Sequence, residues 1–286
     1  MAAVTIPELQ AAAQALKAAD GLLITTGAGM GVDSGLPDFR GSSGFWKTYP
    51  ALKASGLRFQ DIANPNAFEH HARQAWGFYG HRLQLYRDTQ PHAGFAVLKR
   101  WTEQKPHGSF VFTSNVDGQF QRAGFSAQRV HECHGTIHRL QCTRPCQSTT
   151  WSADALKPDT DAQHCLWRND LPFCPHCGAL ARPNILMFGD WNWVDTARHT
   201  NEAALAAFLS ASRHMAVIEI GAGTEVATVR SFSEQIANAY QTTLVRINPR
   251  EPQSGLSDCI GIGMGAQDAL QAIDAILLDS EKRLTD

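Results

Sequence analysis

Residues able to do chemistry are concentrated in a few places. Two close pairs of thiols, Cys142 with Cys146 and Cys174 with Cys177, read as a four-thiolate zinc site on short loops, the second pair at a zinc-knuckle spacing, the first one residue wider than the commonest, and the gap between the pairs longer than usual. Four protein ligands leave zinc no open position for water, so such an ion holds a module together and takes no part in a reaction. Cys165, His164, His138 and His176 are near in the chain and stand as alternative ligands, with free buried thiols as the plainer reading. His134, followed by Gly135, comes at the end of the short run Val130-His131-Glu132-Cys133. An imidazole of ordinary pKa, about 6.5, takes up a proton near neutrality, although an isolated His-Gly is more often buried and bonded to backbone. Ser114-Asn115-Val116-Asp117-Gly118 follows the apolar run Ser109 to Thr113. A polar cluster at the C-terminal end of a buried strand is where open α/β sheets bind ligands; taken alone, these residues read as a turn. Finally, Leu22, Leu23 and Ile24 run into Gly27, Gly29 and Gly31, and soon after them Asp38, Phe39 and Arg40 place an acid, a ring and a guanidinium between Pro37 and Gly41. A strand feeding a loop of small residues brings backbone N–H groups to a phosphate. Val32 breaks the GxGxxG pattern of dehydrogenases.

These groups need elements to hold them. Apolar runs at 22–26, 109–113, 215–220, 243–247 and 259–262 alternate with helical stretches, beginning with a helix at about 7–19 and closing with one at about 266–279. That alternation predicts a doubly wound parallel sheet covered on both faces. The stretch 42–87 is aromatic-rich and helical in pattern without a convincing strand, an inserted module. Within it Tyr79 and Arg82 are three apart and share a helix face. A net charge of −2 gives no general attraction to nucleic acid or to an anionic membrane. The N-terminus lacks the pattern of a signal peptide or a span. An odd number of cysteines with two close pairs favours a metal site in a reducing compartment, so a cytoplasmic location is expected.

The block Ser34-Gly35-Leu36-Pro37-Asp38-Phe39-Arg40-Gly41 closely resembles the NAD-binding signature of the sirtuins, the NAD-dependent protein deacylases. Further motifs follow in that family's order: Asn115-Val116-Asp117, His134-Gly135, the paired cysteines, Arg182-Pro183 leading to Phe188-Gly189-Asp190, Gly221-Ala222-Gly223-Thr224, and Ile247-Asn248-Pro249. The resemblance implies a Rossmann-like domain from 1–41, 88–138 and 187–286. The helical module 42–87 and a zinc module 139–186 would form a smaller inserted domain. It implies a site for NAD made by Gly27, Ala28, Gly29, Asp38, Phe39, Arg40, Trp46, Ser114, Asn115, Val116, Asp117, His134, Gly221, Ala222, Gly223, Thr224, Asn248 and Gly265. His134, Asn115 and Asp117 would be the catalytic group. Phe188 and Gly189 would touch an acylated protein or peptide, and Tyr79 and Arg82 would read a carboxylated acyl chain, because paired guanidinium donors suit a carboxylate. Structural zinc would sit on Cys142, Cys146, Cys174 and Cys177. Trp191, Asn192 and Trp193 would be either an apolar floor for the acyl group or packed side chains.

Three departures qualify the likeness, the first being Ala222 and Gly223 in place of the two hydroxyl-bearing residues that sirtuins usually carry after the glycine. Ser114 stands where most sirtuins have Gln, and the segment Gln119 to Phe125 looks more like divergent bacterial sirtuins linked to protein ADP-ribosylation. Three activities are therefore weighed: protein-lysine deacylation, for acetyl or succinyl groups; protein mono-ADP-ribosyl transfer; and a non-catalytic NAD sensor. His134 favours the first. Oligomeric state is not specified by any of these features.

Overall fold

Leu22, Leu23 and Ile24 are fully buried, which is what a strand inside a parallel sheet with helices on both faces demands. The protein is described here from a computed structural model covering residues 6–37, 49–54, 56, 58–196 and 198–285. Asp38, Phe39, Arg40 and Trp46, named above for the dinucleotide, lie outside the described residues.

The strands in chain order are β1 (Leu22–Thr26), β2 (Ser109–Thr113), β3 (Val130–Glu132), β4 (Gly135–Cys142), β5 (Trp151–Ser152), β6 (Thr160–Asp161), β7 (Leu166–Trp167), β8 (Ala181–Ile185), β9 (Ala216–Ile220), β10 (Leu244–Ile247) and β11 (Cys259–Ile262). Six of them form one parallel sheet in the order β3-β2-β1-β9-β10-β11. From β1 the chain steps outward to β2 and β3, then returns beside β1 at β9 and steps outward the other way. The order therefore reverses between β1 and β9, and the crevice beyond their C-terminal ends is where such sheets take ligands.

Alternate side chains on each strand serve opposite faces. Ile24, Val111, Ile218 and Val245 pack on one face with Leu16, Leu98, Trp101 and Leu270 from helices Ile6–Ala18, Ala93–Glu103 and Ala266–Thr285. Leu23, Phe110, Val217 and Leu244 pack on the other with Phe208 and Ala237 from helices Arg198–Ala211 and Thr228–Tyr240. Burying each such side chain contributes roughly 1.5–3 kcal/mol. The closing helix is longer than its sequence pattern predicts, and the helix after the Gly221 turn begins only at Thr228. Among the described residues no helix is long and apolar enough to cross a membrane.

The smaller lobe is built on the antiparallel order β5-β4-β8 with the hairpin β6-β7. Helices Pro65–His70 and Ala72–Asp88 pack against it: Phe68, Trp76, Tyr79 and Leu83 share a core with Ile137, Leu140, Trp167 and Ile185. The Trp76 indole N–H donates to the Ala181 carbonyl at 3.0 Å. Leu36 and Val116, from loops at the sheet edge, enter the same core, so the two lobes meet along the crevice.

One ion pair lies inside the large sheet. Arg246 faces Glu219 across β10 and β9, with contacts of 2.6 and 3.0 Å, and reaches the Gln253 carbonyl at 2.8 Å. Neither side chain exceeds 1% exposure. Breaking a buried pair by removing one partner strands the other charge, whereas replacing both by apolar groups is far milder. Arg246→Met is therefore expected to cost about 3–5 kcal/mol in urea unfolding, and adding Glu219→Leu to recover most of that loss.

Candidate functional site

Two glycine turns lie back to back where the strand order reverses. The Gly29 amide donates to the Gly221 carbonyl and the Gly27 amide to the Ile220 carbonyl, both at 3.0 Å. A Cβ on Gly29 would stand 2.6 Å from the Gly221 Cα, and one on Gly221, whose φ is 64°, would stand 2.4 Å from the Gly29 carbonyl carbon. Only glycine allows main chains this close, and the result is a floor without side chains.

A cavity opens on each side of this floor. The outer one, about 610 Å³, is lined by Gly29, Gly221, Gly223, Thr224, Asn248 and Gly265, all assigned to the dinucleotide from sequence, together with Asp33, Arg250 and Glu251. The inner one, about 250 Å³, brings together Ser114, Asn115, Val116, Asp117 and His134 with Tyr79, Arg82 and Phe188. Ala28 and Val226 line both, so the two are halves of one crevice. Gly27, Ala222 and Gly189 line neither. The Gly27 carbonyl accepts from the side-chain Nδ2 of Asn115 at 2.9 Å, and the Ala222 carbonyl accepts from Asn248 at 2.9 Å and Arg230 at 3.0 Å. Gly27 and Ala222 thus support the floor from behind. Thr224 donates its hydroxyl to Glu251 at 2.9 Å across the outer cavity.

Sheet geometry carries the polar cluster to the inner cavity. The Ser114 amide continues the β1 ladder by donating to the Thr26 carbonyl at 3.1 Å, and the Thr113 hydroxyl accepts from the Asn115 amide at 3.0 Å. Asp117 accepts from the Gln119 amide at 2.9 Å through its carboxylate. Its carbonyl lies 2.9 Å from Nε2 of His138, which must therefore carry the proton. Burial pushes the Asp117 carboxyl up to about 6, with Arg82 pulling the other way. Glu132 is pushed further, to about 8, first by burial and then by the charge of Asp117. At neutral pH the pair thus carries a single charge, placed on Asp117. Glu132 was not singled out from sequence; its only signal was a lone acid two residues before His134.

Helix Ala72–Asp88 supplies the cationic wall. Arg82 is buried among the rings of Phe78, Tyr79 and Tyr86, with its guanidinium carbon 5.2, 5.6 and 5.4 Å from their centroids, and its Nε and Nη2 donate to the Tyr86 hydroxyl at 3.1 and 2.7 Å. Tyr86 also lines the cavity and escaped the sequence reading, although its place four residues after Arg82 puts it on the same helix face. Burial holds the Tyr79 phenol up at about 12, so it stays protonated. The apolar lining, including Leu36, Ala63, Met187 and Val226, comes from loops in which apolar residues follow no pattern that sequence could expose.

Phe188 stands at the mouth of the inner cavity, edge-on to Phe59 at 6.0 Å. Trp191, in contrast, is 96% exposed and lines no part of the cavity, so it is neither an acyl floor nor a packed side chain. Trp193 is half-buried beside Gly135.

The thiols of Cys142, Cys146, Cys174 and Cys177 lie within 4.8 Å of one another, with Cys142–Cys177 and Cys146–Cys174 sulfur separations of 3.6 Å. A tetrahedral ion with bonds of about 2.3 Å spaces its sulfurs by roughly 3.8 Å, so the cluster fits zinc. Two of the alternatives are engaged elsewhere: His138 on Asp117, and His164 on Asp161 at 3.1 Å. Cys142 ends β4 while His134 precedes it, eight residues away, which at the rise of a strand is up to about 26 Å. The ion would hold the lobe and leave the chemistry to others.

The fold and crevice define a doubly wound sheet with a ligand cleft closed by a thiolate-stapled lobe. Residues 27–227 match the model of the Sir2 family, and the chain belongs to that family. It is 32% identical over 235 residues to an NAD-dependent protein deacylase of Aeropyrum pernix, covering 82% of this chain and 83% of that protein. It is 31% identical to one of Thermus thermophilus, covering 84% of each. An NAD-dependent protein deacetylase of Halalkalibacterium halodurans matches at 32% over 67% of this chain and 72% of its own length. A Sir2 homologue crystallised with NAD shares the fold with a TM-score of 0.73 at 22% identity, covering 95% of this chain and 94% of that one.

Chelation tests the cluster. Stripping the metal, or Cys174→Ser, is expected to release about one zinc per chain and to unfold the smaller lobe together with loss of activity. Metal analysis alongside circular dichroism reads both, and a folded, fully active zinc-free protein would contradict the assignment.

Proposed function

We propose that this chain is an NAD-dependent protein-lysine deacylase that moves the acyl group of an acyl-lysine onto the ADP-ribose part of NAD and releases nicotinamide. The observation that carries this is the union, through Ala28 and Val226, of the cavity at the glycine turns with the cavity holding His134, Asn115 and Asp117. The side-chain-free floor at Gly29 fits a diphosphate, and Asn248, Thr224 and Gly265 then border the adenosine end. NAD supplies the anomeric carbon, whose bond to nicotinamide breaks as the acyl carbonyl oxygen attacks it.

The chain's own residues do the rest. Asp117, ionised at neutral pH, accepts from the nicotinamide carboxamide. Asn115 faces the adjoining ribose while its amide stays tied to Gly27. His134 takes a proton from the ribose hydroxyl that attacks the acyl carbon, and with one water consumed the products are free lysine, nicotinamide and acyl-ADP-ribose. Met187, Phe188 and Leu36 keep water from the reacting centre, and orientation supplies much of the acceleration.

One feature favours a carboxylated acyl chain such as succinyl: the cavity wall pairs the Tyr79 phenol with the buried cation of Arg82, two of whose N–H groups already converge on a phenol. A carboxylate entering the cavity meets a cation held in place by three rings.

Incubation with NAD and acetyl- or succinyl-lysine peptides, followed by mass spectrometry, tests the reading. Loss of the acyl mass with nicotinamide release is the expected result. ADP-ribose added to protein would replace it with mono-ADP-ribosyl transfer, and absence of nicotinamide release with an NAD sensor. His134→Ala is expected to lower deacylation by about 10²-fold or more while NAD binding stays within about twofold. Arg82→Met is expected to raise the succinyl-peptide KM by about tenfold or more and the acetyl-peptide KM by less than about threefold. Equal effects on both peptides would make Arg82 a packing residue.

A further inference from the structure

After β8 the chain lines the inner cavity with Leu186, Met187 and Phe188, then turns back through Val194. Its entry is pinned directly to the site: the Leu186 amide donates to the His134 carbonyl at 2.9 Å. Beyond that point, three polar side chains on β4 and β8 reach across to hold it. Gln141, Arg182 and Asn184 are 0%, 1% and 4% exposed. Oε1 of Gln141 accepts from the Val194 amide at 3.1 Å and from Asn184 at 2.8 Å, and its Nε2 donates to the Asn192 carbonyl at 2.8 Å. Asn184 donates in addition to the Val194 carbonyl at 2.9 Å. Arg182 grips the Asp190 carboxylate with both terminal nitrogens at 2.7 and 2.8 Å. Asp190 in turn accepts from the Met187 and Asn192 amides at 3.3 and 3.2 Å.

Burying a cation, a carboxylate and two amides costs free energy unless every partner is met, and Nε of Arg182 is buried without one among the described residues. The hydrophobic core already holds β4 to β8 without them. What these groups accomplish is to fix main-chain atoms of the segment that borders the cavity, while leaving its apolar side chains outward: Leu186 and Phe188 are each more than a third exposed and Trp191 almost fully. A rigid loop that displays apolar side chains at a cleft mouth is a binding surface made ready before its ligand arrives.

We propose that Gln141, Asn184 and Arg182 are positioning residues for the acylated peptide, acting through the 186–194 segment. They touch neither NAD nor the reacting atoms. Their contribution is to the peptide's affinity, because a loop already ordered loses less entropy when the peptide docks. This inference rests on the deacylase reading above.

The test compares wild type with Gln141→Met, which keeps the volume and removes the hydrogen bonds to Val194, Asn184 and Asn192. The expected result is an acyl-peptide KM raised by about tenfold, with the KM for NAD within about twofold. Direct binding of a fluorescent acyl peptide should weaken in parallel. Because Gln141→Met can also perturb folding, and Asp190→Asn, which changes the loop's end of the staple, leaves the buried Arg182 charge without its carboxylate, urea unfolding first establishes that each variant is folded; the same split between peptide and NAD is expected of both. A peptide KM within twofold of wild type in both variants, or peptide and NAD KM values rising together, would overturn the inference. Failure of the wild-type protein to release nicotinamide with any acyl peptide would instead overturn the deacylase reading.

Discussion

The constraint on which this molecule depends is the contact between two main chains at the reversal of strand order. Gly29 and Gly221 come so close that a methyl group on either would lie inside the other's backbone. This closeness follows from the register of β1 with β9, where Thr26 pairs with Ile220 and both strands end together. Because neither turn carries a side chain there, the crevice stays continuous from the outer cavity to the inner one. Every other group of the site is placed relative to that floor: Asn115 by its bond to Gly27, Asn248 by its bond to Ala222, and His134 by the strand that follows β2 and β3.

Buried ions appear beneath both ends of the crevice, and they do comparable work. Under the outer end, Arg246 links Glu219 of β9 to Gln253, in the loop that follows Asn248. Under the inner end, Arg182 links β8 to Asp190. Arg246 also meets Glu234 at 2.9 Å, yet buried ions of this kind contribute little net stability compared with a hydrophobic replacement. Their directional bonds instead settle where a loop runs, which nonspecific apolar packing leaves loose. The apolar layers hold the two lobes together, and the ions fix the loops that border the cleft.

Much of the site was readable from the sequence because its signals are local. A strand that ends in Gly27-Ala28-Gly29, an Asn-x-Asp after the next buried strand, and a His-Gly after the third are short strings that alone read as turns or a buried histidine; their order along the chain, which resembles that of the sirtuins, is what assigns them, and the structure brings Asn115, Asp117 and His134 into one cavity. The four cysteines likewise converge, despite a long insertion between the pairs. What was hidden is nonlocal. Gln141, Asn184 and Arg182 look like ordinary strand residues until β4 and β8 pair and turn their polar ends toward one loop. Trp191 was read as either an acyl floor or a packed side chain, yet the neighbouring backbone is held by Asp190 and Gln141 and the indole is left exposed. The role of Tyr86 was accessible from helical spacing but needed the fold to show which face was the cleft.

The electrostatics of the inner cavity follow from where protons reside. Burial alone would leave Asp117 and Glu132 both reluctant to ionise, and their mutual repulsion pushes the two apart in strength. The structure resolves this asymmetrically: Asp117 has the Gln119 amide and the nearby Arg82 cation, and ionises near 6, while Glu132 holds its proton to about 8. At neutral pH the cavity therefore offers one anion and one cation on opposite assignments, Asp117 toward an amide donor and Arg82 toward an acceptor. Keeping that proton in place leaves a single negative charge, on Asp117, within reach of the buried Arg82 cation.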